Sequence, residues 1–130
     1  MVDYDGVDHV KTIVNALDWV TASITEPTYL EQDVYKNTEI PNVLLFKELS
    51  FTPIRTSTTS ITYEHDIEIQ FHFTTKALLW PTFEFVYKAL ENYKDGTKYT
   101  KRGTIGVNVR YSESRKIYDL QFVFCEVKSI

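Results

Sequence analysis

Cysteine is almost absent from this chain: Cys125 is the only one in 130 residues. A lone thiol forms no intramolecular disulfide, and without a Cys/His pairing there is no structural zinc site to read. Its apolar neighbours make Cys125 a small buried strand residue. Glycine is also scarce. Gly6, Gly96, Gly103 and Gly106 are scattered, and Gly103-Thr104-Ile105-Gly106 lacks the lysine and following helix of a phosphate-binding loop. No Gly-x-Ser-x-Gly elbow occurs. No apolar run approaches the roughly 18 residues that cross a bilayer. The first six residues are acidic rather than basic, so no leader is expected and the chain reads as cytoplasmic when made. Net charge is −4, from 14 basic and 18 acidic residues. That excludes the overall basic field that draws in nucleic acid by counterion release.

The composition, 43% hydrophobic and 25% charged, is that of a globular protein. The length fits one domain, residues 1–130, which buries enough surface to fold without disulfides or metals. There are no repeats and no low-complexity linker.

The strongest pattern lies between residues 61 and 74. Ile61, Tyr63, His65, Ile67, Ile69, Phe71 and Phe73 alternate with Thr62, Glu64, Asp66, Glu68, Gln70, His72 and Thr74. Side chains on a strand point alternately to opposite faces, so this predicts a long strand with one apolar and one polar face. At roughly 3.3 Å per residue it spans about 45 Å. A domain of this size rarely needs such a strand for its own core, so part of it is expected to project, form an arm or pair with another subunit.

Other elements follow from period and punctuation. Asp3 and Asp5 are N-cap residues for a helix over 7–23, with Val7, Val10, Ile13, Val14, Leu17, Val20 and Ile24 as its stripe and Trp19 off it. Pro27 ends the helical region, and 28–40 is a polar connection. After Pro41, Val43-Leu44-Leu45-Phe46 predicts a buried strand, and the Thr/Ser-rich stretch 52–60 a loop or hairpin tip. A second helix is expected within 76–93, with Thr75 as cap and either a start or a kink at Pro81. Asp95-Gly96 is a turn, and 112–116 joins two final strands. The last strand is apolar on both faces towards its end, which marks a central or partner-covered strand. The predicted fold is α+β, order α-β-β-α-β-β: an antiparallel sheet of about four strands, two helices on one face, and one long projecting strand or hairpin.

No constellation points to catalysis, a metal or a cofactor. His65 and Asp66 fall on opposite faces of the strand and cannot act together. Glu68 and His72 share a face, but lie two pleats apart. His65, on the apolar side, is expected in the core, hydrogen-bonded to backbone or a tyrosine. The acid stripe admits three readings: a solvated face, pairing with a basic strand of another subunit, or a ring lumen kept negative. The basic counterpart is Lys98, Lys101 and Arg102, with Arg110 further on. Candidate inter-subunit or lumen-facing residues are Glu64, Asp66, Glu68, Gln70, Arg55, Lys101, Arg102 and Arg110.

The order of elements resembles the tail terminator, or tail completion, proteins of long-tailed bacteriophages, and more loosely their head–tail joining proteins. The resemblance is one of layout: an amphipathic first helix, then Ile40-Pro41-Asn42-Val43-Leu44-Leu45-Phe46, then Tyr63-Glu64-His65-Asp66-Ile67-Glu68-Ile69-Gln70-Phe71, a helix within 76–93, and a last strand over 117–127. Trp80-Pro81 and the charged stretch 94–103 depart from it. The resemblance implies a non-enzymatic virion protein of the tail neck, assembled in the host cytoplasm. It implies a homohexameric ring that caps the tail tube and stops its growth. It also implies contact with the tail-tube protein and a head-connector or neck protein, with DNA passing unread through the lumen, and no membrane. A different reading of the same composition is a small-ligand-binding α+β module, its cavity lined by Phe71, Phe73, Phe122 and Phe124.

Overall fold

The computed structural model describes residues 6–23, 28–29, 42–74, 76–112 and 115–129. Its elements are α1 (Gly6–Asn15), α2 (Asp18–Ser23), β1 (Thr28–Tyr29), β2 (Asn42–Arg55), β3 (Ser60–Phe73), α3 (Lys76–Glu91), β4 (Lys94–Asp95), β5 (Lys98–Thr100), β6 (Gly106–Ser112) and β7 (Arg115–Ser129). The fold is α+β. Six antiparallel strands form the sheet, and two-residue β1 adds a short parallel bridge to Leu45 and Phe46. The expected Asp3, Asp5 and Thr75 caps, Pro27, Pro41 and the 30–40 connection lie outside the described residues. No described helix is long and apolar enough to cross a membrane.

Strand β3 is the spine. It pairs with β2 from Asn42↔Phe73 to Arg55↔Ile61, and with β7 from Ser60↔Ser129 to Phe73↔Lys116. Strand β7 in turn carries β6 along its first half and β5 along its second. It is therefore central, as its two apolar faces predict. The four-strand expectation falls short because β4 and β5 form a small hairpin within the stretch read as a charged turn. Gly96 sits between them at φ +58°, a conformation that costs glycine little and other residues much.

All three helices pack on one face of the sheet. Val10, Val14, Val20, Leu79, Phe83, Val86 and Leu90 meet Leu44, Phe46, Ile67, Ile69, Phe71, Phe73, Leu120, Phe122 and Phe124 in one core. The predicted first helix is two. Val14 and Val20 are both fully buried, yet six residues turn an unbroken helix by about 240°. A break after Asn15 lets both face the sheet, and the Leu17 N–H closes α1 on the Val14 carbonyl at 3.1 Å. Trp19 is half-covered: its Nε1 donates to Thr82 Oγ1 at 3.0 Å and its ring stacks on Phe85. Helix α3 runs through Pro81. The one hydrogen bond this forfeits would have gone to the carbonyl of Ala77, on an exposed residue where water can replace it.

The expected loop at 52–60 is mostly strand. Only 56–59 turns, while 52–55 continues β2 against 61–64. Pro53 is tolerated because, among the described residues, the outer edge of β2 has no partner there for an N–H to reach.

Candidate interaction surface

A one-residue irregularity shapes the hairpin. Glu48 pairs with Ile67, but Ser50 pairs with Asp66, so Leu49 is the extra residue of a β-bulge. The bulge changes the parity of β2. Glu48 before it and Phe51 after it both face the helix side, flanking His65. His65 is 1% exposed, and its Nδ1 makes a short hydrogen bond with Glu48 Oε1. Phe51 tilts over the imidazole at 5.0 Å and stacks on Tyr63 at 5.4 Å. The core position expected for His65 is correct, but its partner is a carboxylate rather than backbone or tyrosine. Beyond the bulge, all of residues 49–55 are exposed, including Leu49, Phe51 and Ile54. Thr56, Ser57 and Ser60 knit the tip of this hairpin through their hydroxyls, and β7 runs beside β3 along its whole length, up to Ser60↔Ser129.

The opposite sheet face carries the predicted acid stripe. Each acid has a partner within the chain. Lys101 Nζ donates to Glu64 Oε2 at 2.9 Å, which pushes the Lys101 pKa up. Gln121 Nε2 donates to Asp66 at 3.1 and 3.3 Å. Gln70 Nε2 donates to Glu68 Oε1 at 2.8 Å. Arg110 Nε donates to Asp119 Oδ2 at 2.8 Å. Lys101 and Arg110, read as candidates for a neighbour's acids, thus meet acids of their own chain. Arg55 lies at the hairpin tip, where its Nη2 reaches the Thr58 carbonyl at 3.4 Å. Arg102 is exposed in the β5–β6 turn. Gly103, at φ +77°, shapes that turn. It brings Thr104 Oγ1 back to donate to the Lys101 carbonyl at 2.6 Å and accept from the Val123 N–H at 3.1 Å.

The polar face is wet only in part. Gln70 and His72 are each 4% exposed, with the buried side chains of Val43, Leu45 and Ile117 beside them, and His72 Nε2 bonds Gln70 Oε1 at 3.0 Å. Cys125 is fully buried on this face beside Tyr99, and burial raises both pKa values. Between β3, β7 and β6 lies an open groove of about 380 Å³ lined by Glu68, Thr104, Gly106, Asn108, Asp119 and Gln121. Asp119 and Gln121 alternate with Leu120 and Phe122, which is a sequence signal for the polar face. What the sequence lacks is the register that sets them beside Glu68 and Asn108.

A second exposed apolar group marks the sheet's other edge. Val107, Val109 and Tyr111 of β6 pair with Leu120, Tyr118 and Lys116, so they face the helix side, yet they are 47%, 48% and 71% exposed. Trp80 of α3, 55% exposed, meets the Tyr118 ring edge-on at 6.4 Å. No protein-family model matches the sequence, and no curated protein is significantly similar to it.

Proposed function

We propose that the chain is a structural subunit of a ring at the head-proximal end of a bacteriophage tail, where it ends tail-tube polymerisation and joins the tail to the head connector. The observation that carries this reading is the outer half of the β2–β3 hairpin. Strand β2 continues past its bulge with no outer partner among the described residues, and Leu49, Phe51 and Ile54 are exposed at 40%, 44% and 39%. An isolated domain gains nothing from an open edge studded with large apolar side chains, which is a template for association. A subunit that docks by strand addition does gain. The layout of a leading helical pair, a long hairpin, one further helix and a closing strand pair also agrees with the family resemblance.

On this reading the partners are further copies of the chain, the tail-tube protein and a neck or connector protein. The acid stripe keeps any DNA-facing surface from sticking to phosphate. The reading calls for no catalysis, cofactor or metal. The ligand-module alternative places its cavity at Phe71, Phe73, Phe122 and Phe124, whose rings are instead at most 1% exposed in the common core.

Native mass spectrometry of the purified chain, alone and with its tail-tube protein, tests the proposal. A closed oligomer, alone or only on the tube, is expected, and Ile54→Ser abolishes it while leaving the monomer folded. A monomer under both conditions overturns the reading.

A further inference from the structure

We infer that neighbouring copies of the chain are joined by strand pairing: the outer edge of β6 on one copy takes the outer half of β2 on the next, antiparallel. The joint rests on the ring reading, and names the backbone groups that make it. Among the described residues β6 pairs only with β7. It carries none of the devices that blunt an open edge, having no proline, no lysine and no bulge. Backbone bonding fixes which groups are left over. On β7 the Val123 carbonyl accepts from the Lys101 N–H, and the Val127 N–H donates to the Thr97 carbonyl. The odd-numbered residues of β7 therefore turn towards the side that β5 and β6 share. Opposite them on β6 stand Gly106, Asn108, Arg110 and Ser112. The N–H and C=O groups of Val107, Val109 and Tyr111 thus point away from the sheet. On β2 the Thr56 N–H donates to the Ser60 carbonyl. Thr52 and Ile54 then turn to β3, while the backbone of Phe51, Pro53 and Arg55 points outwards. Both outward sets carry their side chains on the helix side.

Strand direction agrees as well. In the order β2-β3-β7-β6 every pair is antiparallel, so β2 and β6 run opposite ways. A copy moved sideways along the sheet, without being turned over, therefore meets β6 antiparallel and keeps its helices on the same face. Parity and direction could each have failed, and their agreement favours a second copy as the occupant of the edge. The inner half of β2 is closed to such a contact, because β1 bridges Leu45 and Phe46 there. The outer half is left, and all its residues from 49 to 55 are exposed. Pairing centred on Pro53 opposite Val109 sets Phe51 against Tyr111 and Arg55 against Val107. Each facing pair exchanges both hydrogen bonds, save the one N–H that proline lacks. Within one copy Val109 is level with Leu44, through Tyr118 and Phe71. The next copy is therefore displaced along the strands by about eight ladder steps, roughly 27 Å. Its Phe51 then covers Tyr111, which is 71% exposed in the single chain.

Disulfide trapping of the full chain tests the joint, alone and with the tail-tube protein. Facing residues of a bonded antiparallel pair have Cα atoms about 5.5 Å apart, within disulfide reach. Phe51 and Tyr111 are exposed, so cysteine at either leaves the fold intact, and the native Cys125 is buried. Within one chain the two positions lie on opposite edges of the sheet and cannot meet. Under mild copper-phenanthroline oxidation, the double variant Phe51→Cys/Tyr111→Cys is expected to give a covalent ladder of copies on a non-reducing gel, and neither single variant should. Thr52→Cys/Tyr111→Cys, with its cysteines on opposite faces, should link at least about tenfold less. Three results would each overturn the joint: no ladder in either sample, equal linking through Thr52→Cys, or Val109→Cys alone linking to itself, which marks a two-fold contact between β6 strands. Native mass spectrometry reads closure separately. A closed oligomer without the ladder removes this joint and leaves the ring, whereas a ladder with only open chains keeps the joint and removes the ring.

Discussion

The Glu48–His65 pair offers the sharpest check on the hairpin's construction. His65 is buried, with Nε2 shielded and unpartnered among the described residues, where Glu48 supplies the ring's one hydrogen bond. Glu48→Ala therefore leaves both ring nitrogens unsatisfied inside the protein, a cost of about 1–3 kcal/mol. For a domain of this length that is a fall in Tm of roughly 3–5 °C per kcal/mol. His65→Leu should cost less. It removes the buried polar ring, and the Glu48 side chain, 29% exposed, retains access to water. The double variant Glu48→Ala/His65→Leu removes both polar groups and should recover most of the loss, because replacing both partners by apolar groups is often close to neutral. Urea unfolding of the four proteins at pH 7 gives the cycle, with an expected coupling of about 1–2 kcal/mol. If Glu48→Ala unfolds within about 0.5 kcal/mol of the parent, below the expected penalty for an orphaned buried group, or if the two single effects simply add, the bulge does not place the carboxylate on the imidazole.

Three further outcomes follow. Phe71→Ala, at a fully buried ring set edge-on to Phe83, should cost about 3–5 kcal/mol in the same unfolding assay, because the rigid sheet cannot close over the cavity. His9 packs on Phe124 and Tyr93, and its pKa is lowered chiefly by burial and then by Lys98, against the opposite pull of Glu126 and Asp95. The unfolded state thus takes up its proton first, so stability should fall as pH drops from 7 through the ordinary histidine value near 6.5, and His9→Phe should flatten that slope. Cys125 is buried with a raised pKa, so a thiol reagent should modify the native protein only as fast as it opens, and at once in urea.

The sequence made the long strand plain because His65, Ile67, Ile69, Phe71 and Phe73 keep an unbroken two-residue period against a single helical layer. The bulge was hidden in that same logic. Leu44 and Phe46 set an even parity, Phe51 resumes on the odd one, and the run from Lys47 to Ser50 holds no glycine to announce the change. The break between α1 and α2 had a fainter signal in the six-residue step from Val14 to Val20, overridden by the 3–4 spacing that Leu17 provides. The candidate surface was legible as composition but not as pairing. Lys101 and Glu64 are 37 residues apart in sequence. The registers of β3 and β5 on β7, with Glu64 and Tyr99 both opposite Cys125, bring them together, and no periodicity encodes such a contact.

The sheet's exposed apolar residues are not scattered. One set, Leu49, Phe51 and Ile54, lies on the outer half of β2, and the other, Val107, Val109 and Tyr111, on β6. In the order β2-β3-β7-β6 these are opposite edges of one sheet, separated by two strands that are paired on both sides. The helices cover the middle and stop short of both margins: α3 reaches Tyr118 with Trp80, but Val109, the neighbour of Tyr118 on β6, stays half exposed. Two unlike apolar edges on opposite sides of a subunit cannot satisfy one another in a two-fold dimer that uses a single patch. They can in a head-to-tail contact, which either runs on as a filament or closes as a ring. The extra residue Leu49 brings Phe51, rather than Ser50, onto the helix side opposite His65, so the buried Glu48–His65 pair and the apolar edge beyond it depend on one irregularity in β2.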